Sequence, residues 1–221
     1  MLVSHSKKFI YIKTIKTAGT SVEVAMQKYC LPPKGEIPPG TVGREAIETS
    51  YGIVGKRGEC VEGSKWFNHM PASRIRDQLP AEIWTGYCKV CNIRNPWDKT
   101  VSWFHFRNPD VKSKPQNEII AEFRAFLRSD DEGNQQIGND TCIYFTDGEP
   151  VADEYIRYDD LEEDFARVCN RLDLSIPRLP ELKREQRGKK VIPYQDYYDD
   201  ELRDKIGSIY HREINRFGWS F

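Results

Sequence analysis

The stretch "FIYIKTIKTAGTSVEVAM" (residues 9–26) constrains the fold more than any other part of the chain. Residues 9–15 read as a β-rich strand, and Val22, Ala25, Met26 and Tyr29 then recur at helical spacing. A strand that gives way to a helix across one short polar loop is half of a βαβ unit. A second such transition stands at "GYCKVCNIRNPWDKTVSWFHF" (86–106): an apolar strand over 86–93, an arginine at its end, and a helix over Asp98–Phe106 opening near Pro96. Strands alternating with helices call for an α/β fold with a mostly parallel central sheet flanked by helices.

The remaining pattern fits one domain over residues 1–221, with no internal repeat. "LPPKGEIPPG" (31–40) is a loop, and from there to about Lys65 the periodicity is weak, with at most one short helix. A helix starts after Met70, with Pro71 in its first turn and Ile75 and Leu79 on one face. Ile119, Ile120, Phe123 and Leu127 mark a helix over 116–128, and short strands are expected at 142–146 and 154–158. Leu161, Phe165, Val168 and Leu172 form another amphipathic helix, for which Asp160 and Glu163 resemble a capping box. A single closing helix is expected from Asp199 to Phe217.

Composition narrows the partners. Lys and Arg number 33 against 34 Asp and Glu, a net charge of −1 that argues against an electrostatic nucleic-acid binder. No apolar run approaches the ~20 residues that span a bilayer, and no signal peptide precedes the first strand, so no membrane partner and a cytoplasmic location are expected. Asn139-Asp140-Thr141 then matches the glycosylation pattern by chance. Of the six cysteines, Cys88 and Cys91 form a CxxC, but residues three apart on a strand point to opposite faces. Reduced, mostly buried thiols are expected, with no metal site.

The two strand ends carry the chemistry. In a doubly wound sheet, ligands sit beyond the carboxyl ends of strands, where helix N-termini present N–H groups. Gly19 lets the backbone approach an anion, Thr17, Thr20 and Ser21 bring hydroxyls, and Lys16 brings a charge. The order is not that of the GxxxxGK[ST] phosphate loop, since the lysine comes first. An ordinary βα turn with a solvated lysine fits the same letters. At the second strand end, Arg94 suits bidentate phosphate binding, with Ser102 one to two turns along the helix; pairing of Arg94 with a nearby carboxylate is the alternative.

Together, "IKTAGTS" and "IRNPWDKTVSW" resemble the two cofactor signatures of sulfotransferases that use 3′-phosphoadenosine-5′-phosphosulfate (PAPS), in particular the carbohydrate O-sulfotransferase branch and its bacterial relatives. The likeness continues in "FNHMPASRIRDQL", "EYIRYDDLEEDF" and the closing "YQDYYDDELRDKI…INRFGWSF", and is thinnest over 30–64 and 107–150. Ile15 stands where the family often has proline.

The resemblance implies a P-loop-like sulfotransferase fold and a PAPS site with 3′,5′-bisphosphate (PAP) as product and no metal. Lys16, Thr17, Ala18, Gly19, Thr20 and Ser21 would form the 5′ loop, while Arg94 and Ser102 would hold the 3′-phosphate. The basic run 183–190 falls where relatives bring a loop over the nucleotide, which makes Arg187, Lys189 and Lys190 candidates; a solvated charge run reads the same way.

Sulfuryl transfer is expected to run in line through a loose transition state, with Lys16 stabilising the oxygen that leaves. The acceptor is a hydroxyl of a sugar, polar natural product or peptide, shaped by the two dissimilar stretches. Its proton needs a base. Among four histidines, His69 is the catalytic candidate because the family's base lies in a similar "HMPA" context. His5 lies in the N-terminal tail, His105 sits between two phenylalanines, and His211 is on the last helix. A nucleotide kinase-like enzyme and a non-catalytic nucleotide-binding protein of the same fold are the competing readings. Oligomeric state is not legible.

Overall fold

The computed structural model describes residues 1–33, 36–58, 63–129, 132–175, 178–180 and 192–221. Its elements are, in chain order, β1 (Leu2–Ser4), β2 (Phe9–Ile12), α1 (Gly19–Met26), β3 (Ile47–Thr49), β4 (Gly52–Val54), α2 (Ala72–Gln78), α3 (Ala81–Gly86), β5 (Cys88–Ile93), α4 (Pro96–Arg107), α5 (Gln116–Arg128) and α6 (Glu132–Gln135). β6 (Phe145–Thr146), β7 (Glu149–Pro150), β8 (Glu154–Arg157), α7 (Leu161–Arg171), α8 (Asp200–Ile209) and α9 (His211–Phe217) complete it. The chain divides into two compact units, Met1–Ile93 with Thr141–Leu182, and Arg94–Asp140 with Lys183–Phe221.

The first unit is α/β, and its sheet is mixed rather than mostly parallel. Six strands run in the order β3-β4-β1-β2-β5-β8. β2 pairs in parallel with β5, and β5 with β8, as the two βα transitions require. The pairings of β1 with β2, β1 with β4, and β3 with β4 are antiparallel. These three extra strands have three residues each, too few for alternation to emerge from the sequence. Two of them fall in the stretch expected to be loops with at most one helix.

Gly52 shows how closely the added strands approach: a Cβ there would lie 2.1 Å from the Val3 carbonyl oxygen. All four residues of β2 are buried, as suits a central strand covered on both faces. Leu2, Phe9, Tyr11, Val90 and Ile156 pack with Val22 and Met26 of α1 and Phe165 and Val168 of α7.

The second unit is helical. Trp97, Val101 and Phe104 of α4, Phe123 and Leu127 of α5, and Leu202 and Ile206 of α8 share one core with Tyr197, Tyr198 and Tyr210. Asn95 caps α4, its side chain accepting from the backbone N–H of Trp97 at 3.1 Å.

Three local expectations change. The closing helix breaks at Tyr210, whose hydroxyl donates to Asp140 Oδ1 at 3.0 Å while Lys99 Nζ lies 4.1 Å from its ring centroid. The strand expected at 142–146 is a 3₁₀ turn followed by the two residues of β6. Asp160 makes no capping hydrogen bond; Asp164 instead accepts from the Arg157 N–H at 2.8 Å. The described cysteines form no disulfide, and Cys142 is exposed. Among the described residues, no helix is long and apolar enough to cross a membrane, and no cluster of three or more His, Cys, Asp or Glu side chains could hold a metal ion.

Candidate functional site

The chain leaves β2 at Ile12 and turns through residues 13–18 before α1 opens at Gly19. Lys16 and Ala18 adopt left-handed backbone, with φ of 59° and 62°, whereas Thr17 and Gly19 between and after them do not. Where left- and right-handed backbone alternate, successive N–H groups can turn toward one side, the geometry of an anion-binding concavity. For non-glycine residues the left-handed region costs about 1–2 kcal/mol each, so the loop is strained and must be held by its surroundings.

A buried polar network holds it. The Tyr11 hydroxyl donates to Asn92 Oδ1 at 2.7 Å, with the Gly19 carbonyl 3.2 Å away. Asn92, on β5, donates from Nδ2 to the Thr17 carbonyl at 3.1 Å. Thr14 donates to the Asn92 carbonyl at 2.6 Å, and its Oγ1 lies 2.8 Å from Thr17 Oγ1. Because the Thr14 proton goes to a carbonyl, the Thr17 hydroxyl donates to Thr14. The Thr17 hydroxyl therefore bonds within the loop, to Thr14, where the sequence suggested a donor to an anion.

Gly19 is also closely packed. A Cβ there would stand 3.1 Å from Lys13 Cγ, 3.2 Å from the Tyr11 hydroxyl and 3.3 Å from the Thr14 carbonyl oxygen. Close packing of the start of α1 on Tyr11 and the following turn favours glycine, while the left-handed positions fall to Lys16 and Ala18. Thr20 and Ser21 lie in the first turn of α1, Ser21 buried and Thr20 half-buried.

Beneath the loop, Glu23 gathers three cations. Its Oε2 accepts from Lys13 Nζ at 2.8 Å and Arg57 Nε at 2.7 Å, and Oε1 pairs with the N-terminal ammonium at 3.0 Å. Burial alone would raise the carboxyl pKa, but the three cations overcome it and hold the group down at about 2. Neither Glu23 nor Lys13 is legible as a site residue. The available signal is an acidic residue beside the apolar stripe of α1, and Asn92 likewise stands out as an amide within an apolar strand.

His69 belongs to the same unit. Its backbone is left-handed (φ 55°) and it lies next to the buried Met70. Nδ1 is 3.1 Å from the Lys13 carbonyl oxygen, which can only accept, so the neutral ring carries its proton on Nδ1 and its lone pair on Nε2. Burial, then the charge of Lys13, lower the His69 pKa to about 4 against the opposing hydrogen bond. The ring is neutral at pH 7. The other histidines have different surroundings. His105 Nε2 meets the Tyr197 hydroxyl at 2.8 Å inside the helical core, His5 Nδ1 meets Tyr87 at 3.0 Å, and the exposed His211 bonds the Ser208 carbonyl.

In the second unit, Arg94 is buried and its Nε donates to Asp98 Oδ2 at 2.5 Å. The carboxylate pairing expected as an alternative is present on that nitrogen. Ser102 is buried one turn beyond Asp98 on the same face of α4. The strands that lead into the two candidate segments are parallel neighbours, with Phe9 opposite Cys88 and Ile12 opposite Cys91. Arg187, Lys189 and Lys190 lie outside the described residues.

No family model and no solved structure matches the chain. Over 108 residues it is 30% identical to a protein of Archaeoglobus fulgidus described as "Uncharacterized protein", an overlap covering 48% of this chain and 83% of the relative.

Proposed function

The chain belongs to one family with this archaeal protein, and from the loop after β2 we propose that it is a PAPS-dependent O-sulfotransferase of P-loop-like fold acting on a hydroxyl of a sugar or small polar acceptor. The observation that carries the reading is the alternating-hand turn at Lys16–Gly19, with a lysine at its head and a helix at its end. Such a turn suits a phosphosulfate, and these residues fit one by donor type: backbone N–H groups, the Lys16 ammonium and the Thr20 and Ser21 hydroxyls. The bound donor supplies an activated sulfuryl group on a leaving phosphate.

Lys16 acts on the oxygen that gains charge as the bond to sulfur breaks, which stabilises the transition state more than the ground state. His69 receives the acceptor's proton at Nε2, the nitrogen left with a lone pair when Nδ1 donates to the Lys13 carbonyl. A weakly basic imidazole suits a proton released late, after the acceptor oxygen has begun to bond to sulfur and become acidic. The resemblance gives the 3′-phosphate to Arg94 and Ser102, with Asp98 orienting the guanidinium through Nε.

The test is turnover of labelled PAPS with a panel of hydroxylated acceptors. Lys16→Ala is expected to lower kcat by about 10²–10³-fold, the range seen when a transition-state donor is removed. His69→Ala should lower it by about 10²–10⁴-fold with nucleotide affinity retained. Near-normal turnover in either variant removes that residue from the mechanism. Nucleotide binding without transfer to any acceptor makes this a binding protein, and ATP hydrolysis independent of PAPS makes it kinase-like.

A further inference from the structure

Asn92 is fully buried in the middle strand of the parallel trio, yet it is an amide with both ends of its side chain engaged. Oδ1 receives the Tyr11 proton, Nδ2 grips the Thr17 carbonyl, and its own carbonyl takes the Thr14 proton. Every one of these bonds reaches β2 or the turn that follows it. The Thr17 carbonyl lies between the two left-handed residues, where a grip resists relaxation of the turn toward ordinary right-handed or extended backbone. We propose that Asn92 is a positioning residue, a latch that keeps the Lys16–Gly19 turn in its strained, anion-receiving form before any ligand arrives.

This inference rests on the anion-loop reading above, and it adds that the loop is preorganised from β5. Preorganisation raises affinity by removing the ordering cost from the binding step. The Tyr11–Asn92 and Thr14–Asn92 pairs are separated by 81 and 78 positions in the chain, so the latch forms only once β2 and β5 have paired.

The full-length chain is measured in two ways: hydrogen exchange of the loop amides, and affinity for adenosine 3′,5′-bisphosphate by calorimetry. Asn92→Ala is expected to speed exchange at residues 15–19 relative to the rest of the sheet and to weaken binding about tenfold, the equivalent of one well-placed hydrogen bond. Adding Ala18→Gly, which relieves left-handed strain, should recover part of that loss, a rescue that a purely structural asparagine would not show. Tyr11→Phe removes one bond of the latch and should act in the same direction by about threefold; it also serves if Asn92→Ala does not fold.

Unchanged loop exchange in the variants overturns the latch, as does a uniform rise in exchange with no rescue by glycine. Should the unaltered chain bind no bisphosphate, the proposed function fails, while loop exchange still decides whether Asn92 holds the turn.

Discussion

At the scale of single residues, the pattern of strain separates this turn from a generic βα connection. Lys16, Ala18 and His69 are three of the six non-glycine residues with positive φ among those described, and all three belong to the candidate site. Ala18→Gly should be neutral or raise thermal stability, because alanine gains nothing from its left-handed position. Gly19→Ala should destabilise, since its Cβ meets Lys13, Tyr11 and the Thr14 carbonyl within 3.3 Å; thermal denaturation of both variants checks the opposite signs. His69 yields a sharper expectation. Followed by NMR, its ring should titrate at about 4, well below the ordinary 6.5, because burial and Lys13 disfavour the cation. The unfolded chain then binds more protons than the folded one between those values, so stability falls as pH drops from 6.5 through about 4. His69→Asn should flatten that limb of the stability curve.

Elements are joined here by buried charge as much as by apolar contact. Glu23 of α1 ties the turn after β2 to Arg57, downstream of β4, through carboxylate oxygens with no solvent exposure. Glu23→Gln leaves Lys13 buried opposite a neutral amide and should cost about 3–5 kcal/mol in denaturant unfolding. Its folded pKa of about 2 lies below the ordinary 4.5, so its contribution is present above pH 4.5 and lost as pH falls through about 2. The Gln variant should lack that limb. The element boundaries show how far local signals reach. The α4 start was legible because Pro96 and Asp98 act on their own helix, whereas β1, β3 and β4 exist through pairing with one another and with β2. Three-residue strands carry no period of their own, which is why the sheet read as mostly parallel when three of its five pairings are antiparallel.

For the molecule as a whole, the decisive measurement is ligand-linked stability. A ligand that binds only the folded chain at about 100 times its Kd adds about 2.7 kcal/mol. If the proposed function holds, adenosine 3′,5′-bisphosphate should raise the Tm by several degrees, with adenosine 5′-monophosphate at equal concentration giving less; equal shifts would count against recognition of the 3′-phosphate. What the amino-acid sequence determined by itself was the pair of strand-to-helix transitions and the cationic and hydroxyl groups at their junctions. Those signals live within a few residues, in periodicity, capping and residue type. Tertiary structure alone decided the mixed sheet, the bonding of the Thr17 hydroxyl to Thr14, the burial of Lys13 against Glu23 and the His69 tautomer. Each depends on a partner brought close by strand pairing or chain reversal, and no local pattern records which distant group will arrive.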